Sequence, residues 1–238
     1  MYELPWKNEI EFYELHSKDI FSNFPFYHVS MIGNSKREFL RHIVTKSRIS
    51  RQAKVVDLGC GSGYLTDSLN KSCQCVGIST SSECIKQAKS NFPDTTFELA
   101  NMETYISKNA THFLALESLG YTNIKKTFKN IFNNLDENGI FYLKDLFLKF
   151  KENDMERENR EDWGFYWNYH PLTIPETINV AYKTGFKLLE FNDLSGKTNN
   201  QMFLESLKFN KVEYKMPHPK VDFLIPGEFV FIKLNDTK

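Results

Sequence analysis

The residues best suited to chemistry begin at Asp57, in the stretch Asp57-Leu-Gly59-Cys60-Gly61-Ser-Gly63. Three glycines at alternate positions let the backbone turn sharply and let a ligand approach without meeting a Cβ. The apolar run Val55, Val56, Leu58 comes before the turn, and Tyr64, Leu65 and Leu69 follow it at helical spacing. A strand, a glycine-rich turn and a helix in that order present free N–H groups and a positive dipole end to an anionic ligand. The dinucleotide fingerprint G-x-G-x-x-G fits badly, because Gly63 comes one residue early. Two further groups are candidates for acid–base work. Glu117 closes the apolar run His112–Leu116, and His170 lies in an aromatic stretch ahead of a proline.

The elements that must position these groups alternate along the chain. Strands are expected at Cys73–Ile78, Thr96–Leu99, His112–Leu116, Ile140–Leu143, Lys187–Phe191 and Glu228–Leu234. Helices are expected over Glu83–Ser90, Lys126–Leu135 and from Thr173 to the stop at Gly185. Ser81 or Ser82 is expected to cap the first of these, and Pro175 falls in the first turn of the last. The turn before the fifth strand is Asp136-Glu-Asn-Gly139. Alternating strands and helices point to an α/β domain with a mostly parallel sheet. In such a sheet the ligand crevice lies outside the carboxyl ends of the strands, where Asp57, Glu117, Lys144 and Asp145 would gather.

With its acidic residue in front, D-L-G-C-G-S-G resembles motif I of the class I S-adenosylmethionine-dependent methyltransferases. The resemblance runs in order over about residues 53–234. Val-Gly-Ile-Ser79-Thr80-Ser is similar to the G-[IV]-T-x-S variant of the small-molecule branch, which includes cyclopropane-fatty-acid synthase-like and quinol methyltransferases. Glu117-Ser-Leu-Gly-Tyr121 resembles the matching segment of geranyl diphosphate C-methyltransferase. Leu-Asp-Glu-Asn-Gly-Ile-Phe and Thr173-Ile-Pro-Glu … Gly185-Phe also resemble family segments.

The resemblance implies a Rossmann-like seven-stranded sheet with helices on both faces and an antiparallel last strand. It also implies an N-terminal helical cap over residues 1–50, a methyltransferase domain over 51–238, and a lid over 149–172 inserted after the fifth strand. The implied cofactor is S-adenosylmethionine, leaving as S-adenosylhomocysteine. Its implied contacts are Asp57, Gly59, Cys60, Gly61 and Gly63 at the methionine end, Ser79 and Thr80 at the ribose, and Asn101 and Met102 at the adenine. Ser79 and Asn101 stand where the family usually places acids, so the ribose contact lacks the charge assistance of a carboxylate. Glu117 and His170 are the implied base candidates, and Tyr27, His28, Tyr121, Trp167 and Tyr169 the implied acceptor-side walls. No metal site is implied. The expected reaction is methyl transfer to oxygen, nitrogen or carbon of a small molecule. The alternatives are a nucleic-acid or protein methyltransferase, or a non-catalytic module that binds the cofactor.

Composition narrows the classes. Lys plus Arg and Asp plus Glu both number 30 among 238 residues, so the net charge is zero. That balance exerts no long-range pull on nucleic acid or anionic membrane. No apolar run approaches the roughly 20 residues that span a bilayer. The four cysteines, Cys60, Cys73, Cys75 and Cys84, lack metal-site or disulfide spacing, which points to reduced thiols and a cytoplasmic protein. Cys73 and Cys75 are expected on opposite faces of a strand. Oligomeric state is not legible.

Overall fold

The computed structural model describes residues 36–148, 172–194 and 224–234. The elements in order are α1 (Lys36–Lys46), β1 (Lys54–Leu58), α2 (Tyr64–Asn70), β2 (Gln74–Ser79), α3 (Ser82–Asn91), β3 (Thr96–Leu99) and β4 (Ala110–Leu116). A 3-10 turn at Leu119–Tyr121 leads to α4 (Ile124–Asn134) and β5 (Leu135–Leu148). Then come α5 (Ile174–Thr184), β6 (Phe186–Asp193) and β7 (Leu224–Lys233).

The seven strands form one sheet in the order β3-β2-β1-β4-β5-β7-β6. Strands β1 to β5 pair in parallel, while β7 runs antiparallel between β5 and β6. The central strands are apolar on both faces because helices cover both. Alternation along each strand then divides the side chains between two cores. Val56, Phe113, Phe141, Phe229 and Phe231 pack with Phe128 and Ile131 of α4 and Val180 and Ala181 of α5. Val55, Leu114, Tyr142 and Val230 pack on the other face with Phe39 and Ile43 of α1 and Leu69 of α2. A smaller cluster joins Ile85 and Ala88 of α3 to Phe97 and Cys60.

Local signals account for the ends of the helices. Ser81 Oγ accepts the Cys84 N–H at 3.2 Å and caps α3. Thr173 and Glu176 exchange hydrogen bonds as a capping box at the start of α5. Gly185 closes that helix at φ 111°, where an added Cβ would lie 2.7 Å from the Phe132 ring.

Three local expectations are corrected. The Asp136–Gly139 turn exists, with Asn138 at φ 60°, but as a shift of register within β5 and not as the end of a connection. Strand β7 starts at Leu224 and not at Glu228 as expected, and Leu224–Gly227 pair with Asp145–Leu148 on β5. Strand β2 begins at Gln74, one residue later than expected, and Cys73 just ahead of it and Cys75 within it share one core cluster and do not face opposite sides.

Candidate functional site

Strand order reverses beside β1: β2 lies on one side of it and β4 on the other. The crevice at such a switch point opens between the carboxyl ends of β1 and β4. The glycine-rich loop leaves β1 there, and Glu117 and Ser118 leave β4 beside it.

The loop takes the conformation its glycines permit. Gly59, Gly61 and Gly63 have φ values of 76°, 51° and 88°. The Gly59 and Cys60 N–H groups both donate to the Ile78 carbonyl, at 2.9 and 3.0 Å, which ties the loop to the end of β2. Space is restricted on two sides. A Cβ on Gly59 would stand 2.5 Å from the Ser118 Cβ, and one on Gly63 would stand 2.6 Å from the Phe97 ring. Gly63 therefore serves the packing of the loop on β3 and α3. Gly59 serves its approach to β4.

Asp57 is buried in β1 and accepts the Thr66 hydroxyl at 2.6 Å. Burial pushes its carboxyl up from 3.8 to about 6, and the Thr66 hydrogen bond pulls in the opposite direction. Cys60 points into the cluster with Ile85 and Phe97, and burial pushes its thiol well above the ordinary range. Its backbone N–H is already engaged with Ile78, so Cys60 shapes the loop from within.

Ser79 ends β2 and its hydroxyl accepts the Ser81 N–H at 3.2 Å, while Thr80 beside it is exposed. Asn101 is exposed just after β3, and its side-chain carbonyl accepts the Glu103 N–H at 2.8 Å. Met102 is buried, with its methyl group 3.8 Å from where a Gly59 Cβ would stand. The Met102 carbonyl is held by Asn130 Nδ2 at 3.0 Å. The motif loop, Ser79, Asn101 and Met102 thus follow the carboxyl ends of three adjacent strands.

Glu117 is half-buried and has φ 53°, a left-handed conformation that a non-glycine residue adopts at a cost. Its N–H donates to the Lys144 carbonyl at 2.8 Å. Tyr121 lies half-buried in the 3-10 turn that follows. Tyr27, His28, Trp167, Tyr169 and His170 lie outside the described residues, as does the lid except for Leu172.

Three contributors escaped the sequence reading. Ser118 donates its hydroxyl to the Leu58 carbonyl at 2.7 Å and fastens β4 to β1 at the crevice. Thr66 holds Asp57. Gly77 leaves room for the loop, since its Cβ would lie 2.7 Å from both Cys60 Cβ and Thr66 Oγ1. Only Gly77 carried a visible signal, as a glycine inside an apolar strand marks a close approach.

A family model described as a methyltransferase domain matches residues 49–179, more than half of the chain, and the chain belongs to that family. No curated protein matches it by sequence. Among solved structures, the [4+2]-cyclase SpnF superposes with a TM-score of 0.75 at 13% identity, covering 98% of this chain and 99% of that one. The cyclopropane synthase MmaA2 from Mycobacterium tuberculosis gives 0.73 at 13% identity, covering 96% and 100%. Geranyl diphosphate C-methyltransferase from Streptomyces coelicolor A3(2), solved with Mg2+, geranyl diphosphate and S-adenosyl-L-homocysteine, gives 0.71 at 11% identity, covering 98% and 100%. At such identities the likeness is one of fold. Among the described residues, no helix is long and apolar enough to cross a membrane.

Proposed function

We propose that this chain is an S-adenosylmethionine-dependent methyltransferase that methylates oxygen, nitrogen or carbon of a small-molecule acceptor. The observation that carries this reading is the loop of three left-handed glycines at the β1/β4 switch point, in a chain of the methyltransferase-domain family. When bound, the cofactor supplies an electrophilic methyl group on a sulfonium. Gly59 and Gly61 would let its methionine end approach the backbone. Asp57 would act through the strand end, Ser79 and Thr80 would face the ribose, and Asn101 and Met102 the adenine. With its carbonyl already accepting one hydrogen bond, Asn101 has one lone pair left for an amino group.

Glu117 would receive the acceptor's proton at the mouth of the crevice, with Tyr121 as a wall. His170, Tyr27, His28, Trp167 and Tyr169 would close the site from a cap over 1–50 and a lid over 149–172. A neutral net charge favours a small molecule over nucleic acid as acceptor. The four cysteines are free and buried, which suits a reducing cytoplasm.

The second reading, a module of this fold without methyl transfer, draws on Ser79 and Asn101 standing in place of acids. The same fold carries a [4+2]-cyclase by name in SpnF. Calorimetric titration of S-adenosylmethionine and S-adenosylhomocysteine into the protein and into Gly61→Arg tests the cofactor site. Micromolar binding lost in the variant is the expected result, and labelled-methyl transfer to an acceptor library then separates the two readings.

A further inference from the structure

Asparagine is a poor helix former, because its amide competes with the backbone for hydrogen bonds. Helix α4 nevertheless holds Asn130 and Asn134 one turn apart on one face, both half-buried. Asn130 Nδ2 donates to the Met102 carbonyl at 3.0 Å and to the Tyr105 carbonyl at 2.8 Å. Asn134 Nδ2 donates to the Asn130 carbonyl at 2.9 Å and to Asn130 Oδ1 at 3.1 Å, and its own Oδ1 accepts the Ser107 N–H at 3.1 Å. At the start of the helix the N-cap residue, Asn123, donates its N–H to Glu103 Oε1 at 2.8 Å. The loop that leaves the carboxyl end of β3 is thus tied to α4 along the length of the helix. The helix is itself anchored, since Phe128 and Ile131 lie in the same core cluster as Met102.

Two of the bonds meet in one peptide unit. The carbonyl that Asn130 holds belongs to Met102, and the N–H on the other side of the same planar group, that of Glu103, donates to Asn101 Oδ1 at 2.8 Å. The Asn101 backbone carbonyl accepts the Thr104 and Tyr105 N–H groups at 3.0 and 2.9 Å, which closes a tight turn. Chemistry dictates both amide orientations. Only an NH2 group can face two carbonyls, and only an amide oxygen can accept a backbone N–H. Rotating the Met102–Glu103 peptide would break the Asn130 and Asn101 bonds together. Asn130 therefore fixes which end of the Asn101 amide turns towards Glu103 and which is left for a ligand. Hydrogen bonds chained through a peptide group also polarise one another in the same sense.

We propose that Asn130 is a positioning residue for recognition of the cofactor's base. Through the Met102–Glu103 peptide it sets the orientation of the Asn101 amide, and with it the preference for a 6-amino over a 6-oxo purine. This rests on the cofactor reading above, in which Asn101 and Met102 face the adenine. A merely structural contact would weaken every ligand alike, whereas a positioning residue alters the ratio between bases.

Calorimetry of S-adenosylhomocysteine and of S-inosylhomocysteine, whose base carries a 6-oxo group and a protonated N1, tests the assignment on the full chain. The wild type should favour the adenosine form by about tenfold or more. In Asn130→Ala the ratio should fall to about threefold or less. A wild-type ratio near one, or an unchanged ratio in the variant, overturns the proposal. Asn101→Ala should lower the ratio by itself, and adding Asn130→Ala should change it no further, because the second residue acts through the first. A further drop in the double variant also overturns the proposal. Asn130→Asp, which keeps the shape but loses the NH2 group, carries the same measurements should Asn130→Ala not fold.

A second arm needs no ligand. In amide hydrogen exchange, Glu103 and Tyr105 should exchange about fivefold faster or more in Asn130→Ala, while Phe128 and Ile131 stay within about twofold of the wild type. Unchanged exchange at Glu103 overturns the proposal. Absence of binding of either compound to the wild type would strike the cofactor reading itself and this proposal with it, a result distinct from an unmoved ratio in a protein that binds.

Discussion

Gly59 and Ser118, 59 positions apart, stand so close that a methyl group added to the glycine would lie 2.5 Å from the serine Cβ. Ser118 cannot retreat freely, because its hydroxyl is bonded to the Leu58 carbonyl at 2.7 Å. Gly59→Ala therefore meets this contact and also places an L-residue at φ 76°. The left-handed conformation alone costs roughly 1–2 kcal/mol. We expect urea denaturation to show at least that loss, and calorimetry to show S-adenosylmethionine binding weakened tenfold or more.

Asp57 makes the stability of the ligand-free protein pH-dependent. Its folded carboxyl titrates near 6 and its unfolded one near 3.8. Between these values the folded state holds more protons than the unfolded state, so stability falls as pH rises from about 4 to about 6 and then levels. The shift corresponds to something on the order of 2–3 kcal/mol. Asp57→Asn, which keeps an acceptor for Thr66, removes this loss. Denaturation curves at pH 4 and pH 7 should show the variant gaining on the wild type across the interval, while its cofactor affinity drops.

The buried Glu228 carboxylate accepts hydrogen bonds from His42 Nε2, Tyr142 Oη and Asn192 Nδ2 and joins α1 to the mixed edge of the sheet. Glu228→Ala strands these three donors beside the buried Lys144, and such loss of one partner from a buried set costs about 3–5 kcal/mol. Tyr142→Phe removes one donor of three and should cost only about 1 kcal/mol. The ratio of the two losses, read from chemical denaturation, checks that the carboxylate organises the cluster.

Gly77 and Thr173 separate loop positioning from general stability. Gly77→Ala drives a methyl group against Cys60 of the glycine loop and against Thr66 and Phe97 beside it, and should weaken S-adenosylmethionine binding tenfold or more. Thr173→Ala breaks the α5 capping box, costs about 1 kcal/mol and should leave affinity in calorimetry unchanged.

Much of the sheet was legible because its strands are short apolar runs bounded by turn residues. The starts of β3 and α5, the Ser81 cap and the Gly185 stop all appear where local preference puts them. Errors arose where long-range pairing overrode a local signal. Asp136–Gly139 has turn chemistry and does kink the chain, yet pairing with β4 resumes at once at Ile140. Pro226-Gly227 reads as a loop, but register with β5 draws both residues into β7.

The glycine loop could be read without a structure because its form depends on backbone freedom at three nearby positions, a property each residue carries with it. Partners across the crevice could not. Asp57 finds Thr66 nine residues away, but Gly59 meets Ser118 only because β1 and β4 are neighbours. His42 reaches Glu228 over 186 residues only because β7 enters the sheet antiparallel and places Glu228 opposite Lys144. Turn chemistry and periodicity are short-range and recorded in adjacent residues. Strand order and register are collective outcomes of packing both faces of the sheet, and they alone decided which buried charges share a site.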